Sequence, residues 1–486
     1  MKHFYTFLLL LFLWSGMAQD QAWKGHFSYT SIKDIVEGNG NLYVAAENAV
    51  YFYNPSTEEV TTYTSIEGLT AETISAIHFS TTINTLFIGY ENGIIDVLNT
   101  STGEVLTVVD IFDKPSLPPN VKKINHFNQY NGNLYISTGF GIALFNLQDL
   151  EFGDTYFIGN QGASLEITQT TIFQDHIYAS TFGGGVRRAD INNDNFIDFA
   201  QWSEVRGGNY HGVQVVGNSL FAARQGGTIL KLNTDTDMLV AVDQLMTAIT
   251  DFSSYDNTLT VATPSKTIAY NEEAQILDTF ATNPAFSFFA TSVFAINQTL
   301  YTGTREKGLL AHPFAAADFI EILPNGPIRN DPFALDIIPG QLWVSYGEVS
   351  VTYNPFPLTQ RGISRLNEEG WKNIPYDSLF GATDIVHVAI NPANPSETYM
   401  TSFIKGILKL ENDSPAVLIN ETNSPLSFPG GNAAIGLRMF GATFDNTGTL
   451  WLTQSRTNEG LIKLSPVETH INCIQQTCKI SDTPSF

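Results

Sequence analysis

Asn41-Leu42-Tyr43-Val44-Ala45 decides the fold, because the phrase comes back. It returns as Thr85-Leu86-Phe87-Ile88-Gly89, Asn133-Leu134-Tyr135-Ile136-Ser137, His176-Ile177-Tyr178-Ala179-Ser180 and Ser219-Leu220-Phe221-Ala222-Ala223. Later copies begin at Thr258, Thr299, Gln341, Glu397 and Thr449. Each couples a polar turn residue to an apolar one, then an aromatic or β-branched residue, then small residues. The early copies are spaced roughly 40–45 residues apart, the length of one four-stranded propeller blade. An all-β fold follows, since helical periodicity is nearly absent and a forty-residue self-similarity excludes a simple sandwich.

Working outward, the second copy divides into four strands. Ile74–Phe79 and Thr85–Tyr90 come first, the turn Glu91-Asn92-Gly93 leads into Ile94–Leu98, and a polar turn precedes Glu104–Ile111. Asn-Gly between two apolar runs is a strong hairpin signal, because both positions tolerate positive φ. The small residues that close each second strand suggest a crowded zone near the propeller axis. Seven evenly spaced copies precede Leu323-Pro324-Asn325-Gly326-Pro327, and wider spacing follows. The expected plan is a seven-bladed β-propeller over 19–326 and an incomplete second propeller of about three blades over 327–486. Trp23 to Tyr29 lies ahead of the first blade and reads as a spare strand for an open edge.

The first eighteen residues form an export signal: Met1-Lys2-His3, an apolar run from Phe4 to Trp14, then Ser15-Gly16-Met17-Ala18. That run is too short to span a bilayer of roughly 30 Å, and no other segment reads as transmembrane. A periplasmic or outer-surface location follows. The chain has 24 Lys and Arg against 48 Asp and Glu, a formal charge of −24. This argues against nucleic acid or anionic lipid as a whole-surface partner. Lys122-Lys123 and Arg187-Arg188 are local exceptions that a polyanion would need. Cys473 and Cys478, the only cysteines, suit either a small loop disulfide or two inert thiols.

Two segments carry candidate chemistry. Asp190, Asn192, Asp194 and Asp198 occupy positions 1, 3, 5 and 9 of a calcium loop, with the Phe196 carbonyl at 7. Asn195 stands where Gly is expected, and Gln201 where a bidentate Glu is expected. The competing reading is a polar hairpin. Calcium is the one cofactor the residues suggest. Arg206, Tyr210 and His211 group a cation, an aromatic and an imidazole that suit a carbohydrate or carboxylate, or simply form an inter-blade loop. Phe182-Gly183-Gly184-Gly185 lacks the Lys and Ser/Thr of a phosphate loop and reads as a blade turn. There is no nucleophile elbow, no His-Glu-x-x-His and no Cys/His cluster, so no catalytic residue is assigned. A propeller lyase or glycosidase would need carboxylates gathered from distant loops.

The opening Trp23-Lys24-Gly25-His26-Phe27-Ser28-Tyr29, the run Gly68 to Ile77, and Thr85 to Asp96 with its Tyr90-Glu91-Asn92-Gly93 together resemble the PorZ family of type IX secretion in Bacteroidetes. Phe444-Asp445-Asn446-Thr447-Gly448-Thr449-Leu450-Trp451 also resembles repeats in sensor domains of hybrid two-component regulators, the alternative reading. The PorZ resemblance covers roughly residues 19–464 and implies two seven-bladed propellers and a C-terminal sorting domain. It further implies a non-catalytic surface role beside attachment-complex proteins, with anionic lipopolysaccharide as ligand. Against that plan the sequence reads as a protein fragment or a shortened relative.

Overall fold

The computed structural model describes residues 24–193, 195–458, 460–464 and 471–473. The expected signal, 1–18, and Cys478 lie outside them. Among the described residues the chain forms ten four-stranded antiparallel sheets, each made of four consecutive strands. Among the described residues helix is confined to three-residue 3-10 turns, and none of these helices is long and apolar enough to cross a membrane. Two compact units result, Met1–Pro324 and Asn325–Phe486. The first holds sheets 1 to 7 and the second holds sheets 8 to 10.

In the first unit the opening strand of every sheet packs against the opening strands of its two neighbours, and sheet 7 returns to sheet 1. Side chains lace this circuit together. Ser75 Oγ donates to Ile124 O (2.7 Å), Asn125 Nδ2 to Ile167 O (2.8 Å) and Thr168 Oγ1 to Tyr210 O (3.3 Å). Gln214 Nε2 donates to Phe252 O (3.3 Å), Ser253 Oγ to Val293 O (2.7 Å) and Thr291 Oγ1 to Ile32 O (2.7 Å). The last interface, between sheets 1 and 2, uses the reverse polarity: Ile77 N donates to Asp34 Oδ2 (2.8 Å). Every interface of the circuit thus has a side-chain to backbone bond, each worth about 1 kcal/mol.

A repeated irregularity makes this possible. Six opening strands carry a register shift at their start, which leaves Lys33, Ser75, Asn125, Thr168, His211 and Thr291 without an opposite partner. A bulge re-aims the extra residue. In Ser75, Thr168 and Thr291 it points a hydroxyl at the first carbonyl of the next opening strand.

The apolar cores lie between sheets. Phe87 and Ile95 of sheet 2 join Phe127, Ile136 and Phe145 of sheet 3. Tyr29, Ile32 and Tyr51 join Phe294, Tyr301 and Leu309 across the meeting of sheets 1 and 7. Each such side chain, fully buried, contributes roughly 1.5–3 kcal/mol. The small residues of the second strands prove necessary for a different reason from the one expected. The opening strands line the axis, and the second strands meet the next sheet. A Cβ on Gly89 would lie 2.6 Å from Ile124 Cγ2, and one on Gly303 would lie 2.6 Å from Ile32 Cγ2.

The leading segment also differs from expectation. Residues 24–30 form no strand. Tyr29 instead packs edge-on against Tyr51 (5.8 Å between centroids), and the Thr30 carbonyl accepts the Gly308 amide of sheet 7 (2.8 Å). The ring closes with whole sheets, so no spare strand is used.

The second unit repeats the lacing pattern. Asp336 Oδ2 accepts Ile390 N (2.7 Å), and His387 Nε2 bonds Ala442 O (2.8 Å). Leu335 and Ile337, on the opening strand of sheet 8, are 60% and 65% exposed.

Candidate ligand-binding face

Repeated register makes all opening strands of the first unit run the same way, so the unit has two chemically distinct faces. One gathers the hairpin turns after the opening strands and the turns before the outer strands. The other gathers the strand starts, the turns between second and third strands, and the connections from sheet to sheet.

The segment 206–211 lies on this strand-start face. Arg206 guanidinium donates to the Leu239 carbonyl. Tyr210 opens the first strand of sheet 5 and is buried in its core, its hydroxyl without a partner among the described residues. His211 is the bulged residue. Burial pushes its imidazole down to about 4, and the positive Lys123 pushes in the same direction. At neutral pH it is therefore an uncharged donor and acceptor. The three residues are sequence neighbours that turn to three different surroundings. Asn209 bridges two turns, accepting Gly183 N at Oδ1 (2.9 Å) and donating to Gln225 Oε1 (3.2 Å). Gly185 ends the glycine turn at φ +79°, where a Cβ would sit 2.4 Å from Arg206 O.

Sequence reading missed Arg224, which closes the second strand of sheet 5 and lies against Gly208. The paired basic residues split their roles. Lys122 is buried and donates to Phe112 O (2.5 Å), while Arg187 is held by Ile158 O (2.6 Å) and Asn160 Oδ1 (2.7 Å). Arg188 pairs with Asp237. Lys123 alone of the four is exposed with no ion pair among the described residues.

The proposed calcium loop lies on the opposite, turn face. Asp190 Oδ1 accepts Asn192 N (2.9 Å), Asn192 Nδ2 donates to Asp175 Oδ1 (3.4 Å), and Asp198 Oδ1 caps a 3-10 turn through Ala200 N (2.9 Å). The Phe196 carbonyl accepts the Trp202 indole N–H (2.8 Å). Asp194 lies outside the described residues. Among those residues no group of three or more His, Cys, Asp or Glu is placed to hold a metal ion.

Inside the ring wall, polar groups serve the sheets. Gln169 spans three opening strands: Nε2 donates to Phe252 O (2.8 Å), while Oε1 accepts Val213 N (3.1 Å) and Gln214 Nε2 (3.0 Å). Asp34 and Asp251 each accept two backbone N–H groups from their own and the next opening strand. Burial pushes Asp34 up to about 7, with the charge of Asp251 adding, and pushes Asp251 up to about 6.

A ring of four-stranded sheets laced at its axis defines a β-propeller. Residues 42–203 match the family model of the PorZ N-terminal β-propeller domain of type IX secretion. Among solved structures it is similar to PorZ of Porphyromonas gingivalis, described as an essential bacterial surface component of the type IX secretion system. There the TM-score is 0.77 at 17% identity, over 92% of this chain and 59% of that one. The chain therefore spans about three-fifths of that protein's length. The extracellular domain of a B. thetaiotaomicron protein described as a hybrid two component system aligns at TM-score 0.47 and 12% identity, over 93% of this chain and 67% of that one. No curated protein matches the sequence.

Proposed function

We propose that this chain is a non-catalytic accessory and scaffold protein of type IX secretion. In this reading 19–326 is a seven-bladed propeller and 327–486 an incomplete second one, exported by the segment 1–18 to the periplasm or outer cell surface. There it binds the glycan of an anionic lipopolysaccharide and proteins of the attachment complex. The observation that carries the reading is the match of residues 42–203 to the PorZ propeller domain. Supporting it is the allocation of buried polar groups to the lacing of the sheets, which gives the fold a rigid ring with loops free on both faces. The calcium loop is retained within this reading as a site on the turn face.

Deleting the gene tests the role. Secreted cargo is expected to accumulate with its sorting domain attached and without lipopolysaccharide. Normal cleavage and surface attachment in the deletion strain refutes it.

A further inference from the structure

The turn face of the first unit holds a cavity of about 700 Å³ between sheets 6 and 7. Its origin lies in the repeated phrase. The third residue of that phrase is aromatic in six sheets of the unit, as Tyr43, Phe87, Tyr135, Tyr178, Phe221 and Tyr301, but is Thr260 in sheet 6. Between sheets 1 and 2 the Tyr43 ring stacks on Phe79 of the next opening strand, 4.7 Å between centroids and 12° from parallel. In sheet 7 the residue at the register position of Phe79 is Ala295; the two lie opposite Leu86 and Leu300, the second residues of their phrases. Thr260 and Ala295 thus stand where a stacked aromatic pair fills the space elsewhere, and Ala295 lines the gap. The Thr260 hydroxyl is engaged in the wall, with Ser253 Oγ (2.7 Å) and the Val293 carbonyl (3.3 Å).

The lining is mixed in chemistry. Tyr255 and Phe314 supply aromatic side chains and Leu277 an aliphatic one. Tyr255 is held at both ends: its hydroxyl donates to Glu37 Oε2 (2.7 Å), and its ring centroid lies 5.1 Å from that of Phe294. The Phe314 amide donates to the Gln298 carbonyl (2.8 Å). Asp278 of sheet 6 bridges to sheet 7, accepting Ala315 N (3.4 Å) and facing His312 Nε2 (3.3 Å). The walls are therefore fixed before a ligand arrives, which lowers the ordering cost of binding. Four polar residues complete the lining, Asp256, Thr258, Asn297 and Gln298, and their side chains form no hydrogen bond or ion pair among the described residues. Asp256, Asn297 and Gln298 sit in two-residue hairpin turns at positive φ (51°, 50° and 58°), a geometry that fixes where their side chains start.

This combination selects a ligand class. Two primary amides, a hydroxyl and a carboxylate can both accept and donate to neighbouring hydroxyl groups, and aromatic rings suit the C–H face of a pyranose. No lysine or arginine lines the cavity, and among the described residues none of the hairpin and outer-strand turns of this face contains one. An anionic sugar would meet the Asp256 carboxylate with no cation to balance it. A purely apolar ligand would take water from four polar groups without replacing its hydrogen bonds. An amine would engage Asp256 and leave the two amides unmatched.

We propose that the cavity between sheets 6 and 7 binds an uncharged pyranose sugar, with Tyr255 and Phe314 against the ring and Asp256, Asn297 and Gln298 on its hydroxyls. The site stands apart from the secretion role, which the deletion strain tests separately.

The experiment titrates the full chain, by saturation-transfer NMR and calorimetry, with methyl glucoside, methyl galactoside and methyl mannoside, the corresponding uronic acids, and N-acetyl-lysine amide. At least one neutral sugar is expected to bind, and its uronic acid to bind about tenfold more weakly. Asn297→Gly with Gln298→Gly keeps the turn and removes both amides, and is expected to weaken binding about tenfold. Ala295→Phe refills the gap as Phe79 does between sheets 1 and 2, and is expected to abolish binding without lowering the melting temperature. Asp256→Asn is expected to narrow the difference between sugar and uronic acid. If Ala295→Phe does not fold, the glycine pair decides. The inference is overturned if no neutral sugar binds, if the glycine pair leaves binding unchanged, or if the lysine amide or a uronic acid binds in preference.

Discussion

Removing the side chain of Gln169 should cost the first unit about 3 kcal/mol, and the loss should be coupled to Gly212. The amide joins sheets 4, 5 and 6. In Gln169→Ala the Val213 N–H loses its acceptor, which costs about 1–3 kcal/mol for a buried group. The Phe252 carbonyl keeps the Gln214 amide at 3.3 Å, so only one backbone group is orphaned. The one lost methylene adds about 0.8 kcal/mol. Gly212 is glycine because the amide occupies its side-chain space: a Cβ there would lie 2.2 Å from Gln169 Oε1 and 3.1 Å from Phe252 Cδ1. Gly212→Ala alone therefore expels Gln169 and forfeits the same bonds, at about 2 kcal/mol. In Gln169→Ala the space is empty, so adding Gly212→Ala costs little more. The coupling between the two sites should reach about 2 kcal/mol, read from urea unfolding midpoints of the two single variants and the double variant. Additivity within about 0.5 kcal/mol would refute the argument, since independent sites behave that way.

Other expectations follow from the same structure. Asp34 is raised from 3.8 to about 7 in the folded chain, so the stability it contributes is complete below pH 4 and is lost as pH rises through 7. Asp34→Asn should shrink the difference between melting temperatures at pH 5 and pH 8, and an unchanged difference would contradict the cause assigned. Gly303→Ala should lower the denaturant midpoint by the equivalent of about 2 kcal/mol or more, because its Cβ would meet Ile32 Cγ2 at 2.6 Å and Ser292 Oγ at 2.1 Å. Leu335→Ser and Ile337→Ser should each change stability by less than about 1 kcal/mol, since both side chains face solvent. A loss above 2 kcal/mol in thermal melts would mean that something covers them.

The strands were the most legible part of the sequence, for a physical reason. The phrase around Thr85 to Gly89 combines β-branched residues with turn residues, and the structure puts a strand at Thr85–Tyr90. The outer strand expected at Glu104–Ile111 is shorter, Val105–Val108, because outer strands are half exposed and apolar alternation there fades. The spare strand was misread because an aromatic segment such as Phe27 to Tyr29 looks alike whether it joins a sheet edge or fills an inter-sheet core. The candidate site was legible only in part. Arg206, Tyr210 and His211 are adjacent in sequence, yet Tyr210 turns into the core and Arg206 is tied to a carbonyl. Lys123, whose charge acts on His211, comes from the connection between sheets 2 and 3, and spacing along the chain does not foretell that meeting. A sequence signal did exist: the turns of one face lack lysine and arginine, but this emerges only after every turn has been assigned to its face.

The lacing of the opening strands has a consequence for how the ring comes together. Six of its junctions tie neighbours in the chain, as Ser75 to Ile124 does across 49 residues. The Thr291 to Ile32 junction spans 259 residues. Loop-closure entropy grows with the logarithm of length, so that junction carries about 1.5 kcal/mol more entropic cost than the others. It uses the same kind of bond to meet that cost, with Tyr51 and Tyr301 packing beside it. The seam between first and seventh sheets is therefore the last to form and the first to part. A newly made chain would be an open crescent until its two ends meet, and a molecule that touched both sides of the seam would act as its latch.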